Sequence, residues 1–142
     1  MNLQKLRSLR VPTARFRAGE KVLEEGKPGG CVYVLVRGEA TCLVDGYEVG
    51  RIEEPGTILG EISALLRSNC TATVVAVTDC EFHVIEDLPK LMETDSQMAL
   101  QVAQILAVRL VNMNNHFVEV KKVVGELHSR LGKYLPVFKR TN

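Results

Sequence analysis

Between Thr13 and Ile85 apolar and polar residues alternate with a period near two, the repeat of a strand whose successive side chains face opposite ways. Val32, Val34 and Val36 interleave with Tyr33, Leu35 and Arg37, so both faces are partly apolar, as in two packed sheets. Turn residues punctuate the pattern at Glu25-Gly26-Lys27-Pro28-Gly29-Gly30, Arg37-Gly38, Asp45-Gly46 and Glu54-Pro55-Gly56. Asp45-Gly46 lies between two β-prone runs and is a hairpin signal, because both central residues of a type I′ turn need a positive φ. About eight short strands at spacings of about 8–12 residues predict a β-sandwich or barrel over residues 13–86.

The period then changes. Asp87-Leu88-Pro89 predicts the start of a short helix, and Thr94-Asp95-Ser96-Gln97 the N-cap of a long one. From Leu106, apolar residues recur at alternating steps of four and three through Leu110, Met113, Phe117, Val120, Val124, Leu127 and Leu131. That is the a/d heptad repeat of a helix packed against another helix. A helix over about 95–131 would be about 55 Å long at about 1.5 Å per residue, longer than a small barrel is wide, so its stripe needs a cover. A parallel homodimer through residues 106–131 supplies one most simply. Folding back onto the barrel, with a bend at Gly125, is the alternative. At the other end Leu3, Leu6 and Leu9 predict a short amphipathic helix over residues 1–12, packed on the barrel. Its neighbours include Lys5, Arg7, Arg10, Arg15 and Arg17, with no acid up to residue 17. Such a segment would also suit an acidic partner or a membrane surface, and its lack of acids is shared with organelle transit peptides.

A chain of 142 residues with 46% hydrophobic and 25% charged residues has the composition of one ordinary globular domain. A net charge of +1 gives no general pull toward nucleic acid. There is no apolar run of about 18 residues to span a membrane and no apolar signal core at the N-terminus, so a cytoplasmic protein is expected. Cys31, Cys42, Cys70 and Cys80 are scattered without CxxC spacing, as reduced thiols rather than a disulfide framework or a zinc site. Residues 132–142, with Gly132, Pro136 and Lys139-Arg140-Thr141-Asn142, read as a basic tail. With neither a recognition helix nor a dense basic stripe, direct DNA binding is not expected.

The most informative stretch runs from Pro55 to Ala76. It reads as a short strand, a tight turn at Gly60, a brief helix over residues 61–66 and another strand. A helix start carries unpaired N–H donors and a partial positive charge, and a glycine there keeps the approach open, so the corner suits an anion. Glu61 at its mouth suits a hydroxyl donor instead. A ligand with both a phosphate and a hydroxyl, such as a ribose phosphate, satisfies the two together.

Gly60-Glu61-Ile62-Ser63-Ala64-Leu65 followed by Thr71-Ala72-Thr73-Val74 resembles the phosphate-binding cassette of cyclic-nucleotide-binding domains. The resemblance extends through Phe16-x-x-Gly19-Glu20, Glu25-Gly26-x-Pro28-Gly29 and Tyr33-Val34-Leu35-x-x-Gly38-Glu39-Ala40, covering roughly residues 14 to 86. It implies a mainly β fold, a double-stranded β-helix or jelly roll, followed by a long C-terminal helix. It implies cAMP or cGMP as ligand, with Glu61 on the ribose 2′-hydroxyl and the N–H groups of Ile62, Ser63 and Ala64 on phosphate oxygens. Thr71 and Thr73 would face the pocket from the next strand, and a hydroxyl at Thr71 favours guanine in some relatives. The long helix would dimerise and reach the base. Cupin-type metal centres, which share the general shape, need a histidine cluster. Here Cys80 and His83 are three apart on a strand and point to opposite faces, while His116 and His128 lie on the helix beyond. No catalytic constellation is evident at readable spacing, so neither an enzyme nor a metal or cofactor is expected.

One position departs from the family. Its members usually place a phosphate-pairing arginine just before the Thr/Ala-Thr-Val run, where this chain has Cys70. A thiol is an uncharged, weak donor, and losing a charge-assisted contact costs about 1.5–3 kcal/mol, or ten- to hundred-fold in affinity. Arg67 is either a substitute or a solvated loop residue. Two readings follow. In the first the chain is a regulatory module that binds a cyclic nucleotide and signals through its long helix. In the second it has kept the fold, lost the nucleotide, and acts in dimerisation, partner assembly or sensing of another small anion.

Overall fold

The structure, a computed structural model, describes residues 1–134; most of the expected basic tail, residues 135–142, lies outside the described residues. The chain divides into two compact units, Met1–Gln101 and Val102 onward.

In the first unit eight strands form two four-stranded antiparallel sheets. One runs in the order β1 (Thr13–Phe16), β8 (Cys80–Ile85), β3 (Val32–Arg37), β6 (Ile58–Leu59). The other runs β2 (Lys21–Leu23), β7 (Thr73–Ala76), β4 (Ala40–Val44), β5 (Tyr47–Ile52). This is the jelly roll that the resemblance implied, and a long C-terminal helix follows it. The residue-two alternation divides β3 as expected. Leu35, paired with Phe82 on β8, enters the core between the sheets, while Val32 and Val34 are buried on the other face. Phe16, Tyr33 and Phe82 meet edge to face at centroid distances of 5.8–6.1 Å, a geometry worth about 0.5–1.5 kcal/mol per pair beyond area burial. At the β4–β5 hairpin Asp45 (φ 50) and Gly46 (φ 78) adopt the two left-handed conformations that the dipeptide predicts.

Helix α1 (Leu3–Ser8) is capped by Asn2 and buries Leu6 completely, so the N-terminal segment does pack. His83 accounts for part of the packing beyond it: its Nδ1 lies 2.9 Å from the Val11 carbonyl oxygen, so Nδ1–H donates there. Cys80, on the opposite face of β8, belongs to the sheet core, and burial pushes its thiol up, away from thiolate chemistry. Helix α3 (Leu88–Thr94) starts at Asp87, whose carboxylate accepts the Lys90 N–H at 3.0 Å. Helix α4 (Ser96–Leu131) runs unbroken through Gly125. No helix among the described residues is long and apolar enough to cross a membrane.

Asp95 does two jobs at the start of α4. Its carboxylate accepts the N–H groups of Gln97 and Met98 at 3.1 and 3.2 Å, and it pairs with Lys5 Nζ of α1 at 2.8 Å. The Lys5 ammonium, aided by the Met98 amide, holds the Asp95 carboxyl below its usual range. A carboxyl depressed in the folded state stabilises it above the unfolded pKa, near 3.9, and that contribution is lost as pH falls through the lower folded value. Asp95→Asn keeps a capping side chain and removes the charge. We expect it to be less stable than the parent at pH 7, with the gap closing below about pH 4. Urea unfolding at pH 7 and pH 3 measures this. A gap that stays constant with pH would show that the ion pair contributes nothing.

Candidate functional site

The site is built outward from the two residues of β6. Both are buried, and both pair with β3, Tyr33 with Leu59 and Val34 with Ile58. That register brings the next residue, Gly60, against the end of the 26–31 turn. A Cβ at Gly60 would lie 2.7 Å from the Cys31 carbonyl oxygen, and the residue has φ 81. Space and conformation both demand glycine there.

Helix α2 (Glu61–Leu66) starts immediately after. The Gly60 carbonyl accepts the Ala64 N–H at 3.1 Å and the Ser63 hydroxyl at 3.0 Å. Ile62 and Ser63 occupy the first turn, where helical geometry supplies no backbone acceptor for their amides. Glu61 is 3% exposed and Ser63 2%. The helix closes at Arg67, which adopts a left-handed conformation (φ 52); its N–H and that of Ser68 both donate to the Ser63 carbonyl.

The 26–30 turn is tied to the loop between α2 and β7. Gly26 N–H donates to the Cys70 carbonyl at 2.9 Å, Cys70 N–H to the Lys27 carbonyl at 2.8 Å, and Pro28 forms a β-bridge with Asn69. Glu25 N–H donates to Thr73 Oγ1 at 3.0 Å. Gly29 is therefore pressed against α2: a Cβ there would lie 2.6 Å from Ser63 Cβ and 3.1 Å from the Ser68 carbonyl oxygen. Between turn and helix opens a cleft of about 340 Å³. Pro28, Gly29 and Gly30 form one side, Ser63 and Ala64 the other, and the 67–69 loop the end. That volume is at the lower end of small-molecule sites, about 300–1,000 Å³.

A family model described as "Cyclic nucleotide-binding domain" matches residues 13–95. The chain belongs to the cyclic nucleotide-binding domain family. Its fold and family are those of regulatory domains. The cGMP-dependent protein kinase egl-4 of Caenorhabditis briggsae is 36% identical over 72 residues, which are 51% of this chain and 10% of that protein. The cAMP-dependent protein kinase regulatory subunit of Colletotrichum orbiculare is 34% identical over 70 residues, 49% of this chain and 18% of that one. The chain thus spans a tenth to under a fifth of these curated relatives. Among solved structures, the catabolite activator protein of Thermus thermophilus has the same fold, with a TM-score of 0.70 and 23% identity over 82% of this chain and 59% of that one.

Within this domain the structure brings Ser63, Ala64 and Arg67 to one cleft, with Gly60 and Glu61 at the root of the same helix. Three expectations change. The Ala64 amide is already used by the Gly60 carbonyl, which leaves Ile62 and Ser63 as the first-turn donors. Thr71 precedes β7 and is exposed, so it does not stand on the strand, and Thr73 Oγ1 accepts the Glu25 N–H. Cys70 is 7% exposed, with its thiol 3.9 Å from the Pro28 carbonyl oxygen, and it is outside the cleft lining that contains Arg67. Burial pushes the nearby Tyr33 phenol up, with Cys31 and Cys70 adding to the shift. Ile62 is 42% exposed. Pro28, Gly29, Gly30, Ser68 and Asn69 were missed as site residues. The signal available for them was three glycines within five residues, more than a single turn requires.

Gly60→Ala is expected to lower stability by more than the about 1–2 kcal/mol of a left-handed alanine alone, because it also meets the Cys31 carbonyl. Gly26→Ala, with φ 80 and open space around its Cβ, provides the conformational cost by itself. Urea midpoints of the two variants make the comparison. Equal losses would mean that the close approach at Gly60 is not a constraint.

Proposed function

We propose that the domain binds a cyclic nucleotide, cAMP or cGMP, in the cleft beside α2 and transmits its occupancy through α4. The observation that supports this most is a cation beside a first-turn residue at one opening: Arg67, at the C-cap of α2, lines the same cleft as Ser63. The cyclic phosphate would lie against the Ile62 and Ser63 amides, Arg67 would supply the charge that Cys70 lacks, and Glu61 would take the ribose 2′-hydroxyl. An arginine reaching from a left-handed loop position contributes a charge-assisted contact of about 1.5–3 kcal/mol.

The second reading, a domain that no longer takes nucleotide, is favoured by Cys70 itself. That residue is buried and bonded at both backbone groups to the 26–28 turn, so its position is filled by structure. Titration calorimetry with cAMP and cGMP separates the two. The first reading expects binding at micromolar concentrations, a loss of about ten- to hundred-fold in Arg67→Ala, and a comparable loss in Glu61→Gln. Absence of heat at millimolar nucleotide would end it. If a folded Cys70→Arg variant then binds, the cleft has kept its shape and lost only its charge.

A further inference from the structure

Beyond Gln101 the helix carries an apolar seam that is exposed among the described residues. Leu110, Met113, Phe117, Val120, Val124 and Leu127 are each 55–69% exposed. With Leu110, Phe117, Val124 and Leu131 at heptad position a, and Leu106, Met113, Val120 and Leu127 at d, the positions that border the seam are e and g. Three of these are permanent cations, Arg109, Lys121 and Arg130; two are histidines, His116 and His128; none is acidic. The acids in this stretch, Glu119 and Glu126, both fall at c, away from the seam, and Glu119 lies 3.7 Å from His116. Lys121 Nζ sits 5.2 Å over the Phe117 ring, so one bordering cation is held at the seam's edge.

This border discriminates between occupants. Two parallel copies would set Arg109 opposite Asn114, His116 opposite Lys121 and Val123 opposite His128, gaining no ion pair. Two antiparallel copies in full register would set Arg109 opposite Arg130. Self-pairing therefore gains apolar burial and no charge complementarity in either orientation. We propose that the 106–131 face of α4 docks an amphipathic helix of another protein whose own bordering positions carry Asp or Glu. The proposal goes beyond nucleotide binding and does not depend on it.

The test uses the full chain and two synthetic helical peptides of about four heptads, with Val at a and Leu at d. One has Glu at every e and g position and the other Lys. Fluorescence anisotropy should show the Glu peptide binding at least about ten-fold more tightly than the Lys peptide, with the advantage shrinking as salt shortens the screening length. Phe117→Glu should abolish binding, and Lys121→Glu combined with Arg130→Glu should reverse the preference between peptides. Sedimentation of the chain alone completes the test. Equal binding of the two peptides, or failure of the Glu peptide to bind, would overturn the proposal. So would a chain that sediments as a dimer which the Glu peptide does not open, since a second copy would then be the occupant.

Discussion

The corner at Gly60 is the constraint on which the candidate site depends. Two buried residues of β6, hydrogen-bonded to β3, deliver the chain to a point where a single methyl group would strike the Cys31 carbonyl. Only a left-handed glycine passes, and it turns the chain directly into α2. The first-turn amides of that helix are therefore aimed by sheet register rather than by the helix itself, which at six residues is too short to be stable alone. Gly29 applies the same constraint from the other side. It has an ordinary backbone conformation and is glycine only because Ser63 and the Ser68 carbonyl leave no room for a side chain.

Those two close approaches explain why the charge problem takes the form it does. The loop between α2 and β7 is fastened to the 26–28 turn through both backbone groups of Cys70, which buries that residue and turns its thiol toward the Pro28 carbonyl. A long cationic side chain there would have to grow out of this fastening. The left-handed turn at Arg67, the C-cap of α2, instead brings that exposed residue to the end of the cleft.

Much of the fold was legible because its signals are local. Period two marked the sandwich, Asp45-Gly46 the hairpin, Asp87 and Asp95 the helix caps, and the four-three spacing the length of α4, each a property of neighbours in sequence. The candidate site was legible at Gly60, whose left-handed conformation is also local. The wall at residues 28–30 was not, because it depends on contacts with residues 63–70 across some 40 positions that no periodicity records. The contact at Thr73 was not legible for the same reason: its Oγ1 accepts the Glu25 N–H, a partner brought to it by the β2–β7 pairing.

The second unit obeys a different physics from the first. The jelly roll closes its apolar surface on itself, with Leu35, Val74 and Phe82 almost fully covered. The helix beyond Gln101 carries a comparable set of large side chains and covers few of them. An isolated helix in water draws little stability from propensity alone, and α4 includes a glycine within this stretch. Its apolar stripe therefore contributes stability only when something is laid against it, and occupancy of that face becomes a linked equilibrium. Because every ionisable residue bordering the stripe is basic or a histidine, the same linkage selects among occupants. Apolar area sets how tightly the face can be covered, and the sign of the border sets by what.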